Sequence, residues 1–100
     1  MSHTLTPSRH QTIRKLVRIT AKPNQAAVLG GALRELEFAT RQEPGCLEFV
    51  FFQALSAPHS FVLLEAFRDQ AALDSHMALP HTRRFFEADL TADVSAQDIG

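Results

Sequence analysis

Two segments of this chain are apolar on both of the faces that a β-strand would give them, and this constrains the fold most. Cys46–Leu55 and Phe61–Phe67 fit a period of two, yet neither set of alternate residues is polar. One face carries Leu47, Phe49, Phe51, Leu63 and Phe67, and the other carries Val50, Phe52, Val62 and Leu64. An antiparallel sheet that met water on one face would be polar there. Both faces therefore need a cover, and we expect helices on one and a second copy of the chain on the other.

The first half of the chain predicts a strand, a helix and the first of these apolar strands. Ile13–Ala21 alternates as a strand does. Asn24 follows a proline and is the expected N-cap of a helix, which a Glu-Pro-Gly run ends. The large residues of this helix recur at helical spacing: Leu29, Leu33, Leu36 and Thr40. Gly30 and Gly31 lie inside it, where glycine is unfavourable, and a close approach to the sheet is one explanation.

The second half predicts a short helix, a helical piece and a weaker strand. Asp69 caps a helix through Met77, Pro80 breaks it, and a second helical piece runs from about His81 to Ala88. The tail from Leu90 to Ile99 is the final strand. The order β-α-β-β-α-β is that of an α+β, ferredoxin-like fold with an antiparallel sheet. We expect residues 1–12 to be a flexible N-terminal arm and residues 13–100 to be a single domain.

Composition excludes several classes of partner. The chain has 10 Lys and Arg against 11 Asp and Glu, without a block of like charge, so we expect no nucleic-acid binding. Its apolar runs are too short to span a bilayer, and no signal-peptide pattern opens the sequence. The single cysteine, Cys46, has no partner for an internal disulfide. Together these features favour a cytoplasmic protein without membrane contact.

Two residues stand out as candidates for chemistry. Glu65 is the one charged residue in an apolar strand. In one interpretation its carboxylate meets solvent or a cation such as Arg18. In the other it is a pocket carboxylate with an altered pKa. His76 lies on the sheet-facing side of the short helix, where a lone histidine is more often a core residue than a catalyst. A carboxylate beneath the same helix would hold its imidazole in one tautomer and raise its basicity.

Metal and nucleophile chemistry find less support in the residue pattern. His81 follows His76 by five residues across Pro80, so the two are not the paired histidines of a metal-binding helix. Two histidines without a third ligand make a weak metal site, and we expect no metal. No histidine is near Cys46 in sequence, which argues against a thiol nucleophile.

The chain resembles the antibiotic biosynthesis monooxygenase (ABM) domain over roughly Val17 to Leu90. The resemblance is carried by four segments in a fixed order: Glu43–Leu47, Phe61–Asp69, Ala72–His76, and Pro80–His81 with Phe85. It implies a dimeric α/β barrel of ferredoxin-like subunits, with a pocket between the helices and the sheet. Haem-degrading members of this fold use an Asn and a Trp where this chain has Leu16 and Phe67, so haem degradation is not favoured.

The resemblance also implies an activity: oxidation of a small phenolic, quinol or polyketide-like compound by O2 without metal or flavin. His76 would accept the substrate proton, and Glu65 would orient the His76 imidazole. His81 and Arg18 would contact polar substrate atoms, and Phe67 and Phe49 would form pocket walls. Two alternatives stay open at this point. One is an acid-base isomerase of a small phosphorylated carbonyl compound, and the other is a non-catalytic dimer that binds a small molecule.

Overall fold

The computed structural model describes residues 11–100 and contains one four-stranded antiparallel sheet with three helices. The predicted arm at residues 1–12 lies almost wholly outside the described residues. The strands are ordered β2-β3-β1-β4, so β3 separates β1 from β2 as the ferredoxin-like fold requires. The elements are β1 Ile13–Ala21, α1 Ala26–Thr40, β2 Cys46–Gln53, β3 Ser60–Phe67, α2 Gln70–Ala78, α3 Pro80–Glu87 and β4 Thr91–Asp98.

The helix α1 buries the stripe that the sequence predicts but begins differently. Leu29, Leu33, Leu36 and Thr40 are all buried against the sheet. The N-cap is Gln25, whose side chain makes no capping hydrogen bond, so the prediction of Asn24 as the cap is wrong. Asn24 instead adopts a positive φ of 64°, a conformation that asparagine tolerates better than most residues, and it turns the chain into the helix.

A close approach to the sheet does not explain the two glycines of α1. A Cβ atom on Gly30 would lie 3.9 Å from the Phe61 ring, which is ordinary van der Waals contact. A Cβ atom on Gly31 would meet nothing within 4 Å. Neither position therefore requires glycine for packing.

A β-bulge at the start of β2 changes which residues face the helices. The register against β3 shifts between Cys46 and Glu48, which pair with Phe67 and Ala66. Leu47 lies in the bulge and is 59% exposed, although alternation places it on the same face as Phe49. From Phe49 onward the alternation holds, and Phe49 pairs with Glu65 on β3.

The helices cover one face of the sheet and leave the other open. Leu63, Glu65 and Phe67 lie under the helices, as do Val17 and Ile19 on β1. The opposite face carries an apolar group of partly buried side chains that no described helix covers: Leu16, Val50, Val62 and Leu64. We call this group the open face. Strand β4 is exposed along almost its whole length. No helix within residues 11–100 is long and apolar enough to cross a membrane.

Candidate active site

A cavity of about 310 Å³ lies between the helix-bearing face of the sheet and the helices. Most of its wall is apolar and includes Phe49, Phe51 and Leu63 from the sheet and Phe85 from α3. The polar residues of the wall are Lys15, Glu65, Asp74, His76 and Thr82. A concave, mostly apolar space with a few convergent polar groups is typical of small-molecule sites, which begin at roughly 300 Å³.

His76 is held in this wall by Glu43, a residue for which the sequence predicts no role in the site. His76 lies in the last turn of α2 and is 3% exposed. Its ring packs against Phe67 and Phe49, with centroids 4.9 and 5.4 Å away. Its Nδ1 atom is 2.9 Å from Glu43 Oε2 and 3.3 Å from the Thr82 hydroxyl. The imidazole is therefore held by two aromatic rings and at one nitrogen.

The break between α2 and α3 brings a second histidine to the same carboxylate. Leu79 is extended and Pro80 opens α3, which places His81 in the first turn of the new helix. His81 Nε2 lies 2.6 Å from Glu43 Oε2. On one continuous helix these histidines would point about 140° apart. The two helix axes differ, and so both rings reach one oxygen.

These hydrogen bonds select the tautomer of His76. A carboxylate only accepts hydrogen bonds, so Nδ1 of His76 and Nε2 of His81 must each donate a proton to Glu43. In the neutral imidazole of His76 the lone pair then resides on Nε2. This nitrogen makes no hydrogen bond within residues 11–100. In the same residues the side-chain nitrogen or oxygen atom that is both fully buried and without a partner is Thr40 Oγ1, so Nε2 of His76 is not fully buried. His76 thus offers an accessible proton acceptor beside the cavity.

Glu65 is the second ionisable group of the cavity. It is buried in the wall, and burial raises its pKa to about 7, while the positive charge of Lys15 acts in the opposite direction. Lys15 pairs with Glu65 across β1 and β3, and its Nζ is 2.7 Å from Asp98 Oδ1. Near neutral pH a large fraction of Glu65 is therefore protonated and able to donate a hydrogen bond.

The structure separates the other predicted site residues. Phe49 lines the cavity as expected, whereas Phe67 lies behind the His76 ring and does not border the open space. His81 does not line the cavity and lines a surface groove instead. Arg18 pairs with Val62, so it lies on the open face, exposed, and contacts neither Glu65 nor the cavity. Strand register puts Lys15, not Arg18, next to Glu65.

The expected pairing of Glu65 with His76 does not form, although both line the cavity. Within residues 11–100 the carboxylate that accepts the hydrogen bond from His76 Nδ1 is that of Glu43. Glu43 sits in the turn after α1, where its N–H donates to the Thr40 carbonyl and its own carbonyl accepts from Cys46 N–H. The only local sequence feature at Glu43 is the Glu-Pro-Gly run, and this run indicates where a helix ends but not that Glu43 bonds His76.

Glu43, His76 and His81 also form a group able to hold a metal ion. They bring three ligand atoms within 4.8 Å of one another. The third ligand that the sequence pattern lacked is thus supplied by folding. Cys46 is near this group, and burial together with the Glu43 charge raises the pKa of its thiol, which opposes a role as a nucleophile.

Comparison with known proteins agrees with this architecture. The family model described as antibiotic biosynthesis monooxygenase matches residues 12–88, which spans the helices and the first three strands. The chain belongs to the antibiotic biosynthesis monooxygenase family. The match includes all three members of the Glu43, His76 and His81 group.

Solved structures of similar proteins share the whole fold. The crystal structure of a Pseudomonas aeruginosa protein is 30% identical, covering 93% of this chain and 96% of that one, with a TM-score of 0.84. A crystal structure described as an antibiotic biosynthesis monooxygenase is also 30% identical, covering 88% and 96%, with a TM-score of 0.81. An uncharacterized Synechocystis protein is 38% identical over 48 residues, which is 48% of this chain and 33% of that relative.

Proposed function

We propose that this protein is a cofactor-independent monooxygenase that oxidises a small phenolic, quinol or polyketide-like compound with O2. One observation carries the proposal: His76, held through Nδ1 by Glu43, has its second nitrogen free beside an apolar cavity. Membership of the monooxygenase family supports it.

The chemistry needs only what this site offers. His76 Nε2 accepts a proton from the substrate, which becomes an electron-rich phenolate or enolate. Glu43 stabilises the imidazolium through the Nδ1 hydrogen bond. The substrate anion then supplies the electrons that reduce O2. When a methylene carbon is oxidised, one atom of O2 becomes its carbonyl oxygen, and the other takes up the two hydrogens of that carbon and leaves as water. Apolar walls keep water from the anion, and protonated Glu65 is placed to donate to a substrate oxygen.

The polarity of the cavity supports this substrate class over a phosphorylated one. Its described lining has a single cation, Lys15, which is paired with Asp98, and the same wall carries the acidic Asp74. Such a wall is unfavourable for a phosphate group, so an isomerase of phosphorylated compounds is less favoured. The cavity of about 310 Å³ beside His76 fits uptake of a small molecule, and the activity measurements below separate the oxygenase from a non-catalytic binding dimer.

Oxygen uptake with a panel of quinols and hydroxylated aromatic ketones tests the proposal. We expect His76→Ala to lower kcat/KM by about 10²–10⁴-fold, the range for loss of a general base. Glu43→Gln should lower kcat more than it changes KM, because it acts through His76. His59→Ala, in the loop before β3, is the matched control and should keep full activity.

Two results would overturn the proposal. One is unchanged O2 uptake in the His76→Ala variant. The other is incorporation of deuterium from D2O into a substrate without O2 consumption, which would identify an isomerase that uses the same site.

A further inference from the structure

We propose that Glu43, His76 and His81 form a zinc site, and that bound zinc switches off the base of the cavity. Two imidazole nitrogens and one carboxylate oxygen are ligands that zinc prefers, and three protein ligands with an open fourth position are typical of reactive zinc sites. The three ligand atoms lie within 4.8 Å of one another. Their side chains are only 9%, 4% and 21% exposed for Glu43, His76 and His81.

The distances are close to those of a bound ion. Ligand atoms of a tetrahedral zinc site lie about 3.3 Å apart, given zinc-to-ligand bonds of about 2.0 Å. Here Glu43 Oε2 is 2.9 Å from His76 Nδ1 and 2.6 Å from His81 Nε2. Both nitrogens already point at one acceptor, and all three ligand atoms lie within 4.8 Å of one another, so the ion would bind once the Glu43 oxygen moves back from the nitrogens and the nitrogens draw together.

Each ligand comes from a separate element, and the backbone of each is fixed. Glu43 is held in its turn by two backbone hydrogen bonds, His76 ends α2, and His81 opens α3. Preformed ligands cost little conformational entropy when the ion binds. The Thr82 hydroxyl, 3.3 Å from His76 Nδ1, is a polar neighbour that can orient a ligand or a bound water.

The ion has a route to this group that avoids the apolar cavity. His81 lines a groove of about 320 Å³ between α1 and α3, and His76 is not among the residues that line it. Glu35 and Arg84 also line the groove. A hydrated cation can therefore reach His81 first and then exchange its waters for Glu43 and His76.

Zinc on Nδ1 of His76 changes the other nitrogen of the ring. A neutral imidazole carries one proton, so when zinc takes the Nδ1 lone pair that proton resides on Nε2. The nitrogen beside the cavity then donates a hydrogen bond and no longer accepts a proton. This inhibitory consequence rests on the proposed function, whereas zinc binding itself does not.

Titration with Co²⁺ tests the site directly, because tetrahedral Co²⁺ absorbs visible light and Zn²⁺ displaces it without colour. We expect one Co²⁺ per chain in the full-length protein after EDTA treatment and dialysis. Glu43→Gln and His81→Gln should each lower the affinity for Co²⁺ by at least about 10–100-fold. This is the loss seen when a residue that only supports a metal ligand is replaced, and a direct ligand should matter at least as much. Circular dichroism checks that both variants remain folded.

A triple variant provides the matched control. The five histidines of the chain are His3, His10, His59, His76 and His81. Replacement of the first three by Gln leaves only the pair of the proposed site, and this variant should bind Co²⁺ as the wild type does. Absence of one-to-one binding at millimolar Co²⁺ would overturn the proposal, as would unchanged affinity in the Glu43→Gln and His81→Gln variants.

The enzymatic consequence is measured separately. Stoichiometric Zn²⁺ should abolish O2 uptake by the wild type, EDTA should restore it, and Zn²⁺ should inhibit the His81→Gln variant at least tenfold less strongly. Co²⁺ binding without any oxygenase activity would overturn the proposed function and leave the metal site standing. Activity that is insensitive to bound zinc would overturn the switch.

Discussion

Glu65 shows how a single buried carboxyl makes stability depend on pH. Burial raises its pKa from an ordinary 4.5 to about 7, so the folded chain holds the proton more tightly than the unfolded chain does. The free energy of unfolding must therefore fall as pH rises from about 4.5 to about 7 and then level off. We expect Glu65→Gln, which stays neutral, to gain on the order of 2 kcal/mol relative to wild type between pH 5 and pH 8.

Urea denaturation of both proteins at these two pH values measures the change. Glu35→Gln is the control, since Glu35 is an exposed glutamate on α1 that lies outside the cavity. A Glu65→Gln effect of equal size at pH 5 and pH 8 would show that the carboxyl titrates as it does in the unfolded chain.

At the level of elements, the contact of the α1–β2 turn with α2 determines where His76 lies. Gly45 in that turn packs against Ala72, one helical turn before His76, and a Cβ atom on residue 45 would clash with the Ala72 Cβ. Neither atom can rotate away, so Gly45→Ala must push α2 from the turn that carries Glu43. We expect a loss of about 1–3 kcal/mol in the free energy of unfolding and a fall in kcat.

The same substitution at Gly31 provides a control of opposite sign. An alanine there would meet nothing within 4 Å and lies inside α1, so Gly31→Ala should stabilise the protein by about 1 kcal/mol through helix propensity. Thermal and urea unfolding of both variants checks the pair. A Gly45→Ala variant as stable as Gly31→Ala would contradict the tight contact.

For the whole molecule, the open face makes dimerisation the expected state. Its apolar side chains lie together on a sheet whose other face is covered by the helices, and no described element covers them. We expect Leu64→Glu, at the centre of this face, to give a monomer by light scattering at micromolar concentration, because an ionised carboxylate is costly to bury. Phe38→Glu should leave the dimer intact, since Phe38 is 72% exposed but lies on α1. A wild-type monomer under these conditions would contradict the prediction.

The sequence by itself determined the features that depend on near neighbours. The period of two in β1 and β3, the stripe of α1 and the Asp69 cap of α2 were all predictable, because each rests on interactions over a few residues. His76 and Glu65 were also recognisable as polar residues on faces that would be buried. Arg18 was expected to meet Glu65 or the substrate, but it pairs with Val62 and lies on the open face, away from the cavity.

Only the tertiary structure decided which groups meet in the candidate site. Glu43 precedes His76 by 33 residues and His81 by 38, and nothing local indicates that its side chain points at both. Their meeting depends on how α1, α2 and α3 pack on the sheet, and on the break at Pro80 that turns His81 toward His76. The bulge that exposes Leu47 is likewise a product of strand pairing. Residue spacing along the chain specifies faces, whereas distances between side chains follow from packing, and so the sequence predicted the apolar sheet but not the Glu43 carboxylate that holds its histidines.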